Sequence, residues 1–127
     1  MSFQNKGLQD QLLKVIAESG YTDATPIQTK TIPAVLEGKD LCACSHTGSG
    51  KTAAFMLPAL AKLMKTPTNK NRSPRVLVLV PTRELVVQVI DSLNDLNVYT
   101  NNRVLGVYGG TNINTQKQQI ADGIDIL

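Results

Sequence analysis

Two rhythms alternate along this chain, and their alternation predicts its architecture. Leu8, Leu12, Leu13 and Ile16 recur at helical spacing and Gly20 stops the run, so an amphipathic helix is expected there. Phe3 lies ahead of it, outside the pattern. Thr25-Pro26 is a helix-start pair, a capping hydroxyl followed by a proline in the first turn, and predicts a helix to about Glu37 that Gly38 ends. Pro33 inside it predicts a kink or a break. Residues 40–44, with the short apolar run Leu41-Cys42-Ala43-Cys44, are expected as a strand. Residues 51–65 are apolar on most sides, the mark of a largely buried helix, with a bend expected at Pro58. Residues 75–80 read as a strand whose run from Val76 to Val80 is continuously apolar, as a parallel strand covered on both faces would be. Leu85, Val86, Val89, Ile90, Leu93 and Leu96 then mark one buried stripe of a helix. A strand over 103–108, a turn at Gly109-Gly110, a polar helix over 112–121, a turn at Asp122-Gly123 and a strand from Ile124 complete the pattern.

Strands alternating with helices argue for an α/β domain with a parallel sheet and right-handed crossovers. In such folds ligands sit at the carboxyl ends of the strands. The loop at 45–52, Pro81-Thr82-Arg83 and Gly109-Gly110 all follow strand ends, so all three are expected on one rim of the sheet.

The loop carries the chemistry. Ser45-His46-Thr47-Gly48-Ser49-Gly50-Lys51-Thr52 stands between an apolar run and an apolar helix, the context a phosphate-binding loop requires. Gly48 and Gly50 put no side chain in the way of phosphates and can take positive φ, which lets successive N–H groups point into one nest. The helix that follows offers unpaired N–H groups and the positive end of its dipole. Lys51 is placed to reach the terminal phosphates and the Thr52 hydroxyl to ligate Mg²⁺. Ser45 stands where the general pattern has glycine. Gln28 falls in the first turn of its helix, where its amide is expected to serve a ligand and not the core.

Composition narrows the class. At 42% hydrophobic and 18% charged, the chain is globular and not disordered. A net charge of +3 is compatible with an anionic partner. Lys65, Lys70 and Arg72 make residues 65–74 basic, a polar stretch with Pro67 and Pro74 expected as a surface loop. No apolar run approaches the ~20 residues that span a bilayer, and residues 1–6 lack a signal-peptide core. No membrane association and a cytoplasmic location are therefore expected. Cys42 and Cys44, the only cysteines, precede His46 in a Cys-x-Cys-x-His string; two reduced, buried thiols are the expectation, and not a metal site.

Taken together, Phe3, GYTDATPIQ at 20–28, SHTGSGKT at 45–52, PTRELVVQV at 81–89 and Gly109-Gly110 occur in the order found in DEAD-box RNA helicases. The chain resembles the first part of that family's first RecA-like domain. The resemblance implies a RecA-like P-loop fold, a parallel sheet flanked by helices, with 1–28 as the Q-motif region and 40–127 as the P-loop core. It implies ATP or ADP with Mg²⁺ as cofactors and RNA as partner. It implies that Phe3, Tyr21, Thr25 and Gln28 hold the base, that Ser45, His46, Thr47, Gly48, Ser49, Gly50, Lys51 and Thr52 hold the phosphates and metal, and that Pro81, Thr82, Arg83, Gly109 and Gly110 grip the RNA backbone. Such contacts carry no base information, so a sequence-tolerant partner is expected. The basic loop at 65–74 is expected as solvated surface or as an auxiliary RNA-phosphate contact.

This chain departs from the family pattern in places. Ser45-His46 stands for Ala-Gln, and Ala24 for the proline before Thr25. His46 adds a titratable group beside the phosphates, whose protonation is expected to tighten ATP binding. The 127 residues also lack the Asp-Glu-Ala-Asp site, the Ser-Ala-Thr motif and the second RecA-like domain. The expectation is therefore a domain truncated before completion, which binds nucleotide without turning it over; the alternatives are a non-catalytic nucleotide- or RNA-binding module and a piece of a related DNA helicase. An exposed sheet edge after Asp125, with marginal stability or self-association, is expected too.

Overall fold

The computed structural model describes residues 2–4, 6–66 and 73–127. Among them run five helices: α1 (Asp10–Glu18), α2 (Pro26–Leu36), α3 (Lys51–Lys65), α4 (Arg83–Leu96) and α5 (Ile113–Ala121). The basic loop expected over 65–74 lies mostly outside the described residues.

Helix boundaries follow local chemistry. Thr25 caps α2 in a full capping box: its hydroxyl accepts from the Gln28 N–H, and the Gln28 side chain accepts from the Thr25 N–H. Pro33 and Pro58 lie inside α2 and α3, and neither divides its helix. Each removes one main-chain donor, a loss that tertiary packing offsets; Pro58 is itself buried.

The core gathers one face of each of four helices. Leu12, Val15 and Ile16 of α1, Ile32 of α2, Met56, Leu57 and Leu60 of α3, and Leu93 and Leu96 of α4 are buried together with Ile126. α2 and α3 make the most extensive helix pair, while α4 touches both α1 and α3. α3 is the central element, buried on most sides as its composition predicts. α5 buries none of its residues.

The sheet is slight. Ile126 forms parallel bridges with Val76 on one side and Val104 on the other. The Val78 N–H donates to the Leu127 carbonyl at 2.8 Å, and the Leu105 N–H donates to the Ile126 carbonyl at 3.0 Å. The spatial order is therefore 75–78, 125–127, 103–105, with the segment latest in sequence at the centre. Asp125 ties all three. Its side chain is fully buried; one oxygen accepts from the Arg75 guanidinium at 3.1 Å and the other from the Arg103 N–H at 2.9 Å. An ion pair so placed satisfies a charge that burial would otherwise penalise.

Several expectations need correction here. Residues 40–44 join no ladder among the described residues, and Cys42 and Cys44 are exposed, not buried. An apolar run states a preference for cover; whether a partner strand supplies it is decided elsewhere in the chain. Residues 75–80 are likewise covered on one face only: Val76 and Val78 pack on the core, whereas Leu77 is 63% and Leu79 84% exposed. In α4 only Leu93 and Leu96 of the stripe are buried.

Candidate functional site

The loop at 45–50 enters α3 through two left-handed glycines, Gly48 and Gly50, each with φ of +82°. That conformation is nearly closed to other residues, and it turns successive N–H groups inward. Nothing lies within 4 Å of where a Cβ would stand on Gly48, so the mouth of the loop is open. At Gly50 the same position is taken by the Gln28 amide.

The start of α3 differs from those of α2, α4 and α5. Thr25, Thr82 and Asn112 each cap their helix with a side-chain oxygen, while Gly50 offers α3 no side-chain cap. The first N–H groups of the fold's longest helix are thus left for an external acceptor, which the dipole prefers to be anionic. The Ser49 hydroxyl is buried in the loop without a partner. The Lys51 ammonium folds back to donate to the Ser45 carbonyl at 2.7 Å, and the Ser49 N–H donates to the His46 carbonyl. His46, Thr47 and Lys51 are exposed, with Thr52 half-buried. Open N–H groups, an open mouth and a cation on a flexible stem suit a polyphosphate; Thr52 lies half-buried on the first turn of α3.

Gln28 joins this loop from 22 residues away. Its Nε2 donates to the Gly50 carbonyl at 3.1 Å, and its Oε1 accepts from the Thr25 N–H at 3.0 Å. Those partners fix the orientation of the amide, since a carbonyl requires the nitrogen and an N–H the oxygen. One N–H and one lone pair of the amide remain. The side chain is only 1% exposed, deeper than the sequence suggested. The T-x-x-Q spacing of a capping box was the readable signal for this seat.

The other base-holding candidates are dispersed. Phe3 is 4% exposed and belongs to the hydrophobic core, while Tyr21 stands exposed at the surface. Beside Lys51 a cavity of about 480 Å³ opens between α2 and α3, lined by Ile27, Thr31, Asp40, Leu41 and Phe55 among others. Neither Phe3 nor Gln28 lines it.

Three of the remaining candidates meet at a second place. The Arg83 guanidinium lies over Gly109 and Gly110, so close that a Cβ on Gly110 would stand 3.0 Å from one of its nitrogens. Gly110 also has φ of +85°. Thr82 directs its hydroxyl at the Leu85 N–H, 3.2 Å away, and is exposed together with Pro81. The result is an exposed cation between the starts of α4 and α5, a suitable grip for a sugar–phosphate backbone.

No helix among the described residues is long and apolar enough to cross a membrane, and no group of three or more potential metal-ligating side chains occurs among them.

Known proteins resemble this chain in sequence and in fold. The family model for DEAD/DEAH box helicases matches residues 25–127. The mouse ATP-dependent RNA helicase DDX4 is 40% identical over 132 residues, covering 100% of this chain and 19% of that protein. The DEAD-box ATP-dependent RNA helicase RhpA of Helicobacter pylori is 43% identical over 115 residues, covering 91% of this chain and 22% of that protein. The chain thus spans about a fifth of the length of these relatives. Among solved structures, a DEAD box protein from Methanococcus jannaschii superposes with a TM-score of 0.88 at 33% identity, over 100% of this chain and 34% of that one. The RNA helicase Prp28 of Chaetomium thermophilum, solved with ADP, also superposes with a TM-score of 0.88, at 37% identity over 98% of this chain and 31% of that one. The slight sheet seen here is therefore part of a RecA-like P-loop fold, and the chain belongs to the DEAD/DEAH box helicase family.

Proposed function

We propose that residues 1–127 form the nucleotide-binding part of an ATP-dependent RNA helicase, a hydrolase that uses ATP to remodel or unwind short RNA duplexes. The observation that carries this reading is the hydrogen bond from Gln28 to the Gly50 carbonyl. It puts a donor–acceptor amide against a phosphate loop, so one nucleotide can meet both. The names of the relatives, and the ADP bound to Prp28, point the same way.

In this reading Gln28 selects adenine, with Thr25 holding its amide in place, while Phe3 stays in the core. Residues 45–50 wrap the phosphates. Lys51 leaves the Ser45 carbonyl for the terminal phosphate, and Thr52 holds Mg²⁺, which supplies charge neutralisation when bound. Pro81, Thr82, Arg83, Gly109 and Gly110 grip RNA without reading its bases. The 127 residues bind nucleotide but do not turn it over alone, because strand 75–80 carries no carboxylate to complete the metal site. The cleavage and duplex-separating steps belong to the longer protein that the relatives represent.

Calorimetric titration with ADP and GDP tests this. ADP is expected to bind at least ~10-fold more tightly, a difference of about 1.4 kcal/mol. Gln28→Ala should erase that preference while leaving residual diphosphate binding. Equal affinities in the wild-type chain, or a preference that survives Gln28→Ala, would remove Gln28 from base recognition.

A further inference from the structure

The only histidine of the chain lies in the phosphate loop. His46 is exposed, and its imidazole makes no hydrogen bond or ion pair among the described residues. Its main chain, by contrast, is fixed. The His46 carbonyl accepts from the Ser49 N–H at 3.3 Å, which closes a tight turn with Gly48 at the third position and φ of +82°. Such a turn holds its end residues within about 7 Å of each other. Ser49 is 7% exposed, and its hydroxyl is buried without a partner. An anion seated against Ser49 is thus within reach of a charge on residue 46 before salt screens it, over a length of ~8 Å at physiological ionic strength.

The groups around the loop decide the sign of the effect. From α3 the Lys51 ammonium reaches back to the carbonyl of Ser45, the residue before His46. From α2 the neutral Gln28 amide and Thr25 hydroxyl meet the loop at Gly50. The segment ahead of the loop brings the exposed Cys44 thiol. Lys39 and Asp40, of opposite charge, stand beside Lys51 in the cavity between α2 and α3. No carboxylate makes an ion pair with His46 or Lys51 among the described residues. A proton on His46 therefore adds a second cation to the one that Lys51 carries, at the mouth where a polyphosphate would enter. Histidine is the side chain whose charge ordinarily changes between about pH 5 and 8, so this second cation is present or absent according to pH.

We propose that His46 makes nucleotide binding proton-linked. The loop takes up the phosphates of a nucleoside di- or triphosphate more tightly as pH falls from about 8 to about 6. The sign follows from linkage: a polyanion binds the protonated loop better than the neutral one, so binding draws a proton onto His46 and acid favours the complex. The inference rests on the nucleotide reading of the loop and adds a means of regulation to it.

The test is calorimetric titration of the full 127-residue chain with ADP between about pH 6 and about pH 8, at constant ionic strength and without divalent cations. His46→Gln is the reference, because it shares the titration of ADP itself. Wild type is expected to gain at least ~3-fold in affinity from the alkaline to the acid end, beyond any change the variant shows. His46→Lys carries a fixed charge; it should bind at the alkaline end as wild type does at the acid end, and lose the excess pH dependence. A second readout needs no variant. The single histidine gives one imidazole signal by NMR, and its titration midpoint should move to higher pH on saturation with ADP. If a variant fails to fold, that signal decides alone. An unmoved midpoint, or equal pH profiles in wild type and His46→Gln, overturns the inference while leaving nucleotide binding intact. Absence of ADP binding at millimolar concentration and any pH overturns the nucleotide reading, and this inference with it.

Discussion

The helical half built on α2 and α3 and the sheet half over 75–127 are stabilised in different ways. In the first, contacts are dense and apolar: Ile32, Met56, Leu57 and Leu60 are all but inaccessible, and the buried Gln28 is held at both ends. In the second, three segments meet through single bridged residues, large aliphatic side chains stand in solvent, and one carboxylate joins the segments. A helix closes its own main-chain hydrogen bonds, so packing two of them completes a unit. A strand closes none alone and depends on partners distant in sequence. The loop at 45–50 that enters α3 is mounted on the finished half.

This contrast can be broken by substitution. The largest effect is expected at Arg75. Arg75→Ala takes away the guanidinium that pairs with the buried Asp125 carboxylate, and should lower unfolding free energy by about 3–5 kcal/mol in urea titration. A cost below ~1 kcal/mol would mean that the sheet half is not tied through this pair. A matched pair of leucines sharpens the comparison next. Leu60→Ala in the helical half should cost about 2–5 kcal/mol. Leu79→Ala in the sheet half, already 84% exposed, should fall within roughly 0.5 kcal/mol of wild type. Equal costs would erase the distinction. Thr82→Ala removes the cap of α4 and should cost about 1 kcal/mol with loss of helicity at that end. α3 has no such side-chain cap to lose, and its start should instead gain protection when a nucleotide binds.

The smallest effect lies where the halves touch. Tyr99 donates to the Glu18 carboxylate, which raises its phenol above the usual value, while the Lys14 ammonium, 4.5 Å from the ring centre, pulls the other way. A phenol raised by folding contributes stability that is present below its unfolded value near 10 and lost as pH climbs through the folded one. In difference absorbance against Tyr99→Phe, the phenolate should appear above pH 10, and Glu18→Gln should lower its midpoint.

What the sequence disclosed follows the same division. Thr25-Pro26, the two glycines of the loop and the period of α3 are local signals, and each corresponds to an observed feature. Strand cover is not local. Residues 40–44 and 75–80 read as buried because they are apolar, but their neighbours are set by pairing that no short window contains. Gln28 lay between the two cases: its capping role was written three residues after Thr25, whereas its bond to Gly50 crosses 22 positions and leaves no pattern. Asp125 left no signal either, because an acidic residue inside a strand becomes intelligible only once Arg75 and Arg103 are beside it. The junction of Arg83 with Gly110 was foreseen only as a shared rim.

The position of Asp125 in the chain has a consequence for biosynthesis. Arg75 is made 50 residues before it and Arg103 22 before it. At ~5–20 residues per second, Arg75 waits about 3–10 s for its counter-ion. During that interval the paired helices α2 and α3 can already consolidate, while 75–80 and 103–108 emerge as aliphatic ribbons with nothing between them. A holdase chaperone arriving at the ribosome would meet those ribbons first, and the arrival of one carboxylate would end its opportunity.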